Sequence, residues 1–142
     1  MSWGWTSPIV KLTTRSEYAL LALIHLARHE GEKFVPIQSI AEAQGIPHRF
    51  LEQLLLVLKR ARLVKRLKGQ RGGYRLGRPP GRISLAEVIR LLDGALAPTE
   101  SASTYFYEPT PVERERKLLG VFQEIRDLVS AKLEKTTLAD VK

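Results

Sequence analysis

Residues 37–76 read IQSIAEAQGIPHRFLEQLLLVLKRARLVKRLKGQRGGYRL, and this stretch decides the fold. Ile37 to Gln44 has helical spacing of apolar and small residues, and Gly45 ends it. Ile46-Pro47 opens the next helix, with proline tolerated in the first turn, and that helix is expected from Pro47 to about Ala61. Two helices joined by a tight glycine-containing turn are a helix-turn-helix signature, and Ala41 and Gly45 are small where the helices must approach. Leu63 to Leu67 mixes branched apolar and basic residues and reads as a strand. Gly69 to Gly73 is a turn, and Tyr74-Arg75-Leu76 is the returning strand. A hairpin in that place is a wing. The expected class is therefore mainly α with a small β-hairpin: a winged helix-turn-helix domain.

Working outward, Thr14-Arg15-Ser16-Glu17 has the spacing of a capping box, ahead of a helix from Ser16 to Arg28 that Gly31 stops. Ser84-Leu85-Ala86-Glu87 is a second box, opening a helix to Asp93 before Gly94. Thr110-Pro111-Val112-Glu113 is a third, opening the longest helix, to about Glu134. Along that helix Leu118, Val121, Phe122, Ile125, Leu128, Val129 and Leu133 form an apolar stripe at helical period, and a second copy of the chain is the simplest cover for it. The expected organisation is an extension over 1–10, the winged helix-turn-helix domain over 11–94, a loop over 95–109, and a dimerisation helix with its tail over 110–142. The loop carries Tyr105, Phe106 and Tyr107, a candidate effector site or a satellite core.

Of 142 residues, 23 are Lys or Arg and 15 are Asp or Glu, a net charge of +8. Residues 1–94 carry net +9 and residues 95–142 net −1; ten basic residues and no acid lie between Lys59 and Arg82. A solvated surface usually mixes signs, so the basic block reads as a face for a polyanion. The absence of cysteine excludes disulfides, thiolate nucleophiles and cysteine-ligated iron–sulfur clusters. No apolar run is long enough to span a membrane, and residues 1–10 do not have the pattern of a secretory signal, so the expected location is the cytoplasm. No catalytic constellation stands out, and an enzyme is not expected. His25 and His29 stand four apart on one helix, but two histidines are half a metal site and no third ligand is near; no metal is expected.

Sorted by angle, Phe50, Leu51, Leu54, Leu55, Val57 and Leu58 form the buried arc of the third helix. Arg49, Glu52, Gln53, Lys59 and Arg60 share the outer arc with Leu56, and His48 lies at the helix start. Arginine can read guanine, glutamine adenine, and glutamate the cytosine amino group; a glutamate also repels phosphate, which argues for base reading over mere attraction. The alternative for Glu52 is a surface salt bridge to Arg49 or Lys59. In the wing, Gln70 and Arg71 sit at a tip bounded by Gly72 and Gly73, whose freedom lets backbone approach the sugar–phosphate surface. Arg71 suits a narrow minor groove, and Lys59, Arg60, Lys68 and Arg75 suit phosphates.

These motifs carry a resemblance. Leu12 to Leu20, Ile40-Ala41, Gly45-Ile46, Leu51-Glu52-Gln53-Leu54, Leu63-Val64, Arg71 to Leu76 and Ile83 to Ile89 resemble the Rrf2-type winged-helix regulators of bacteria. That family includes the iron–sulfur cluster regulator, the nitric-oxide-sensing repressor and the cysteine-metabolism repressor. The likeness runs continuously from Lys11 to Gly94 and more loosely through the long helix and Thr137-Leu138-Ala139-Asp140. It implies a homodimer with crossed C-terminal helices that binds double-stranded DNA at a palindromic operator, usually as a repressor. It also implies base-reading roles for Glu52 and Gln53 and a minor-groove role for the wing. Cluster-bearing members place three cysteines between the fourth and the long helix; Ala95 to Val112 holds none, so the resemblance is to the cluster-free branch and no cofactor is expected. The competing expectation is a regulator acting mainly through a protein partner or small-molecule effector docked near residues 95–112.

Overall fold

A computed structural model describes residues 12–31, 33–94 and 109–142. The expected extension, and Tyr105, Phe106 and Tyr107 in the loop, lie outside the described residues. The elements run α1 (Thr14–Arg28), α2 (Ile37–Gln44), α3 (His48–Arg60), β1 (Val64–Leu67), β2 (Gly73–Leu76), a 3-10 turn (Pro80–Arg82), α4 (Leu85–Asp93), a second 3-10 turn (Pro111–Arg114), α5 (Arg116–Lys135) and α6 (Leu138–Val141).

The core forms where α1 lies across the helix-turn-helix. Ala19, Ala22, Leu23 and Leu26 of α1 meet Ile40 of α2 and Leu51, Leu55 and Leu58 of α3. Val35, Leu63, Val64 and Tyr74 close one end, and Ile83 and Val88 another. The small alanines on α1 let helices come close, and each buried leucine contributes about 1.5–3 kcal/mol of transfer free energy. Leu138, from the far end of the chain, is fully buried in the same core. It is held there by backbone pairing: the Leu138 amide donates to the Ile83 carbonyl at 3.0 Å, and the Leu85 amide to the Thr136 carbonyl at 2.9 Å.

The structure corrects four local expectations. The cap of α1 is Thr13, not Thr14: the Thr13 hydroxyl accepts from the Ser16 amide at 3.3 Å, while its own amide and hydroxyl donate to Asp93 at the end of α4. That contact spans 80 residues, so tertiary structure chooses between two adjacent threonines. The Ser84 box is half formed: its hydroxyl accepts from the Glu87 amide at 3.1 Å, but the Glu87 carboxylate pairs with Arg78. The third box does not cap a long helix: the Thr110 side chain makes no cap hydrogen bond, and the Glu113 amide goes to the Thr110 backbone carbonyl at 3.0 Å in a 3-10 turn. The chain leaves helical geometry at Glu115, and α5 starts only at Arg116. Finally, Phe50 is 38% exposed rather than buried; its ring meets Tyr18 edge to face, with centroids 5.5 Å apart.

Candidate nucleic-acid interface

α3 is set in place by its inner arc and by the turn before it. Leu51, Leu54, Leu55 and Leu58 are buried. Gly45 takes a left-handed conformation, φ 65°, and the Ile46 amide then donates back to the Ala41 carbonyl at 3.0 Å with Ile46 itself buried. The opposite arc faces outward: His48, Arg49, Glu52, Gln53, Leu56, Lys59 and Arg60 are all exposed. At 100° per residue, Arg49 to Arg60 of that set fall within about a third of the circumference, with Leu56 near the middle. Glu52 pairs with neither Arg49 nor Lys59; its carboxylate lies 3.4 Å from His48 Nδ1, with both side chains more than half exposed.

The hairpin follows directly, pairing Val64 with Leu76, Lys65 with Arg75, Arg66 with Tyr74 and Leu67 with Gly73. Its second strand is fastened near the turn by a third segment: the Val35 amide donates to the Tyr74 carbonyl and the Tyr74 amide to the Val35 carbonyl, both at 2.8 Å. The glycines at the tip have work inside the fold. A Cβ on Gly73 would lie 2.2 Å from the Val35 carbonyl oxygen, and one on Gly72 would lie 2.1 Å from that of Leu67. Gly69, φ 110°, instead has open space around it. Lys68, Gln70 and Arg71 are exposed at the tip. Arg75 is exposed too, its guanidinium 5.1 Å from the centre of the Phe34 ring. Phe34, which lies beside Arg75, carries no sequence signal beyond being aromatic.

α5 is the least enclosed element. None of its residues is buried, and Leu118, Val121 and Leu128 are 44%, 49% and 73% exposed. Phe122, Ile125 and Val129 are half-buried. Leu133 packs within its own chain, on Ala86 and Ile89 of α4, and Arg90 forms an ion pair with Glu134. No helix among the described residues is long and apolar enough to cross a membrane.

A three-helix core carrying an outward polar recognition arc and a basic hairpin defines a winged-helix transcription regulator. The chain belongs to the Rrf2 family, whose model, described as an iron-dependent transcriptional regulator, matches residues 12–142. It is 36% identical over 132 residues to the HTH-type transcriptional regulator CymR of Bacillus subtilis, covering 93% of this chain and 89% of CymR. It is 42% identical to the regulator IscR of Xenorhabdus nematophila over 90 residues, 63% of this chain and 55% of IscR. Among solved structures, that of CymR, the global cysteine regulator of B. subtilis, superposes with a TM-score of 0.73 at 35% identity, covering 92% of this chain and 95% of that one. The IscR of T. potens superposes with a TM-score of 0.67 at 34% identity, covering 92% and 85%. These relatives are regulators, not enzymes.

The family description implies iron, and the donor set decides what fits. A thiolate-ligated cluster does not: the chain has no cysteine. Among the described residues no three His, Asp or Glu side chains gather to hold a metal. His25 and His29 stack on each other, centroids 4.2 Å apart, and His29 Nδ1 is 2.8 Å from the His25 carbonyl oxygen.

Proposed function

We propose that the protein is a sequence-specific DNA-binding repressor that acts as a homodimer on a palindromic operator, without an iron–sulfur cluster. The outward arc of α3 carries the proposal: Arg49, Glu52, Gln53 and Leu56 offer a guanine reader, a cytosine acceptor, an adenine reader and an apolar contact for thymine methyl on one rigid helix. His48, Lys59, Arg60, Lys68 and Arg75 take phosphates and set register, and Arg71 with Gln70 enters the adjacent minor groove. Gly72 and Gly73 serve by holding the tip in shape. The exposed apolar side chains of α5 support the dimer, with Leu118, Val121, Phe122, Ile125, Leu128 and Val129 in the interface and Leu133 anchoring the helix to its own α4. Residues 11–94 are the reading unit, completed by Leu138.

Selection from random duplexes by the purified protein at physiological salt tests this. An enriched inverted repeat is the expected result. Binding with no enriched motif would leave only non-specific attraction and defeat the reading.

A further inference from the structure

The helix that presents the reading arc ends on a residue that is left-handed but not glycine. Arg62 has φ 63°. Its amide donates to the Lys59 carbonyl and the Leu63 amide to the Leu58 carbonyl, both at 2.9 Å, which together make a Schellman stop. Glycine is the usual residue there because a Cβ crowds the following carbonyl, so an arginine holds the position against a steric penalty. The neighbouring backbone fixes it further. The Gly77 amide donates to the Leu63 carbonyl at 2.8 Å, and a Cβ on Gly77 would lie 2.5 Å from the Arg62 carbonyl oxygen.

Arg62 lines an open cleft of about 740 Å³ between the end of α3 and the root of the hairpin, together with Lys59, Lys65, Arg66, Gly77 and Arg78. Among the described residues no carboxylate lines it. Arg78 is paired with Glu87, and the Arg66 guanidinium sits 5.9 Å from the centre of the Tyr74 ring. Among the described residues, Lys59, Arg62 and Lys65 make no salt bridge. Lys65 stands directly opposite Arg75 on the hairpin, a like-charge pairing that weakens a sheet. Lys59, Arg62 and Lys65 at the rim of one cleft thus lack a salt-bridge partner, and their mutual repulsion, with Arg62 on a strained backbone, opposes folding in the free protein. A multi-oxygen anion in the cleft reverses the electrostatic part of that balance.

We propose that this cleft is a phosphate-binding site, with Arg62 as its backbone-fixed member and Lys59 and Lys65 as its adaptable ones. Its occupant is a backbone phosphate of the bound duplex, outside the bases that α3 reads. That choice of occupant rests on the DNA-binding reading above; the phosphate chemistry of the cleft does not.

The test uses the full chain with Arg62→Gly and Arg62→Lys. Removing the Cβ from a left-handed position should raise Tm by about 2–4 °C in Arg62→Gly. The same variant should bind duplex about three- to tenfold more weakly and lower the slope of log K against log salt by about one. Arg62→Lys should keep the wild-type slope. In a second arm, inorganic phosphate should raise the wild-type Tm more than chloride does at equal ionic strength, and Arg62→Gly should lose that difference. A reduced slope places the site on the DNA backbone. An unchanged slope with the phosphate effect lost makes the occupant a free phosphate and corrects the choice of source. Both readouts unchanged in Arg62→Gly overturn the proposal. If wild-type protein binds no duplex but shows the phosphate effect, the DNA reading fails and the cleft stands.

Discussion

The helix-turn-helix with its hairpin and the long helix α5 are built on opposite terms. The first is basic, and its α3 buries four leucines while turning a polar arc outward. The second lies in the near-neutral part of the chain and fully encloses none of its side chains, leaving Leu128 73% exposed. One region encloses most of its apolar residues within the chain and turns a charged face outward. The other offers apolar surface. On the proposed function, the polyanion and the second copy of the chain are addressed by separate regions, and each can be broken without the other.

The largest expected effect falls on the closed core. Leu55→Ala should lower the unfolding free energy by about 2–5 kcal/mol in urea melts, since the leucine is fully enclosed and a cavity remains. A loss below 0.5 kcal/mol would mean that this core is not what holds α3. The next effect falls on the open helix. Leu128→Glu should weaken self-association about 100-fold in sedimentation equilibrium, because a charge is forced into the proposed apolar interface. A variant that self-associates like wild type would place the dimer contact elsewhere. The smallest of the three sharpens the division inside the reading domain. Arg71→Ala should weaken all duplexes by about 1–2 kcal/mol, most where the flank is A·T-rich, with the selected motif in the major groove retained. Unchanged affinity on every flank would remove the wing from the interface.

Local chemistry made the helix-turn-helix and hairpin readable, since Gly45, Pro47 and the mix of branched apolar and basic residues in Leu63 to Leu67 each act within a few residues. Reading failed where a distant group intervened. Asp93 moves the α1 cap to Thr13, and Arg78 takes the carboxylate that Glu87 was expected to turn on its own cap. Gly72 and Gly73 looked like freedom for DNA approach, whereas the carbonyls of Leu67 and Val35 make a side chain impossible there. Arg62 was invisible because its sequence neighbours give no sign of positive φ. The seat of Leu138 was missed as well, although Thr137 and Asp140 have capping-box spacing and do form the box, the Thr137 amide donating to Asp140 at 2.9 Å. The outer arc of α3 needed only the helical period, and the structure leaves every polar residue assigned to it exposed.

The central claim is that α3 reads bases while the wing and the basic cleft hold the backbone. Parallel selection from random duplexes with wild-type protein and Glu52→Ala tests it most directly. The variant should give the same inverted repeat with one position per half-site relaxed, a loss of discrimination of about 1–3 kcal/mol there. An identical motif from both proteins would make Glu52 no more than the surface partner of His48 and contradict the claim.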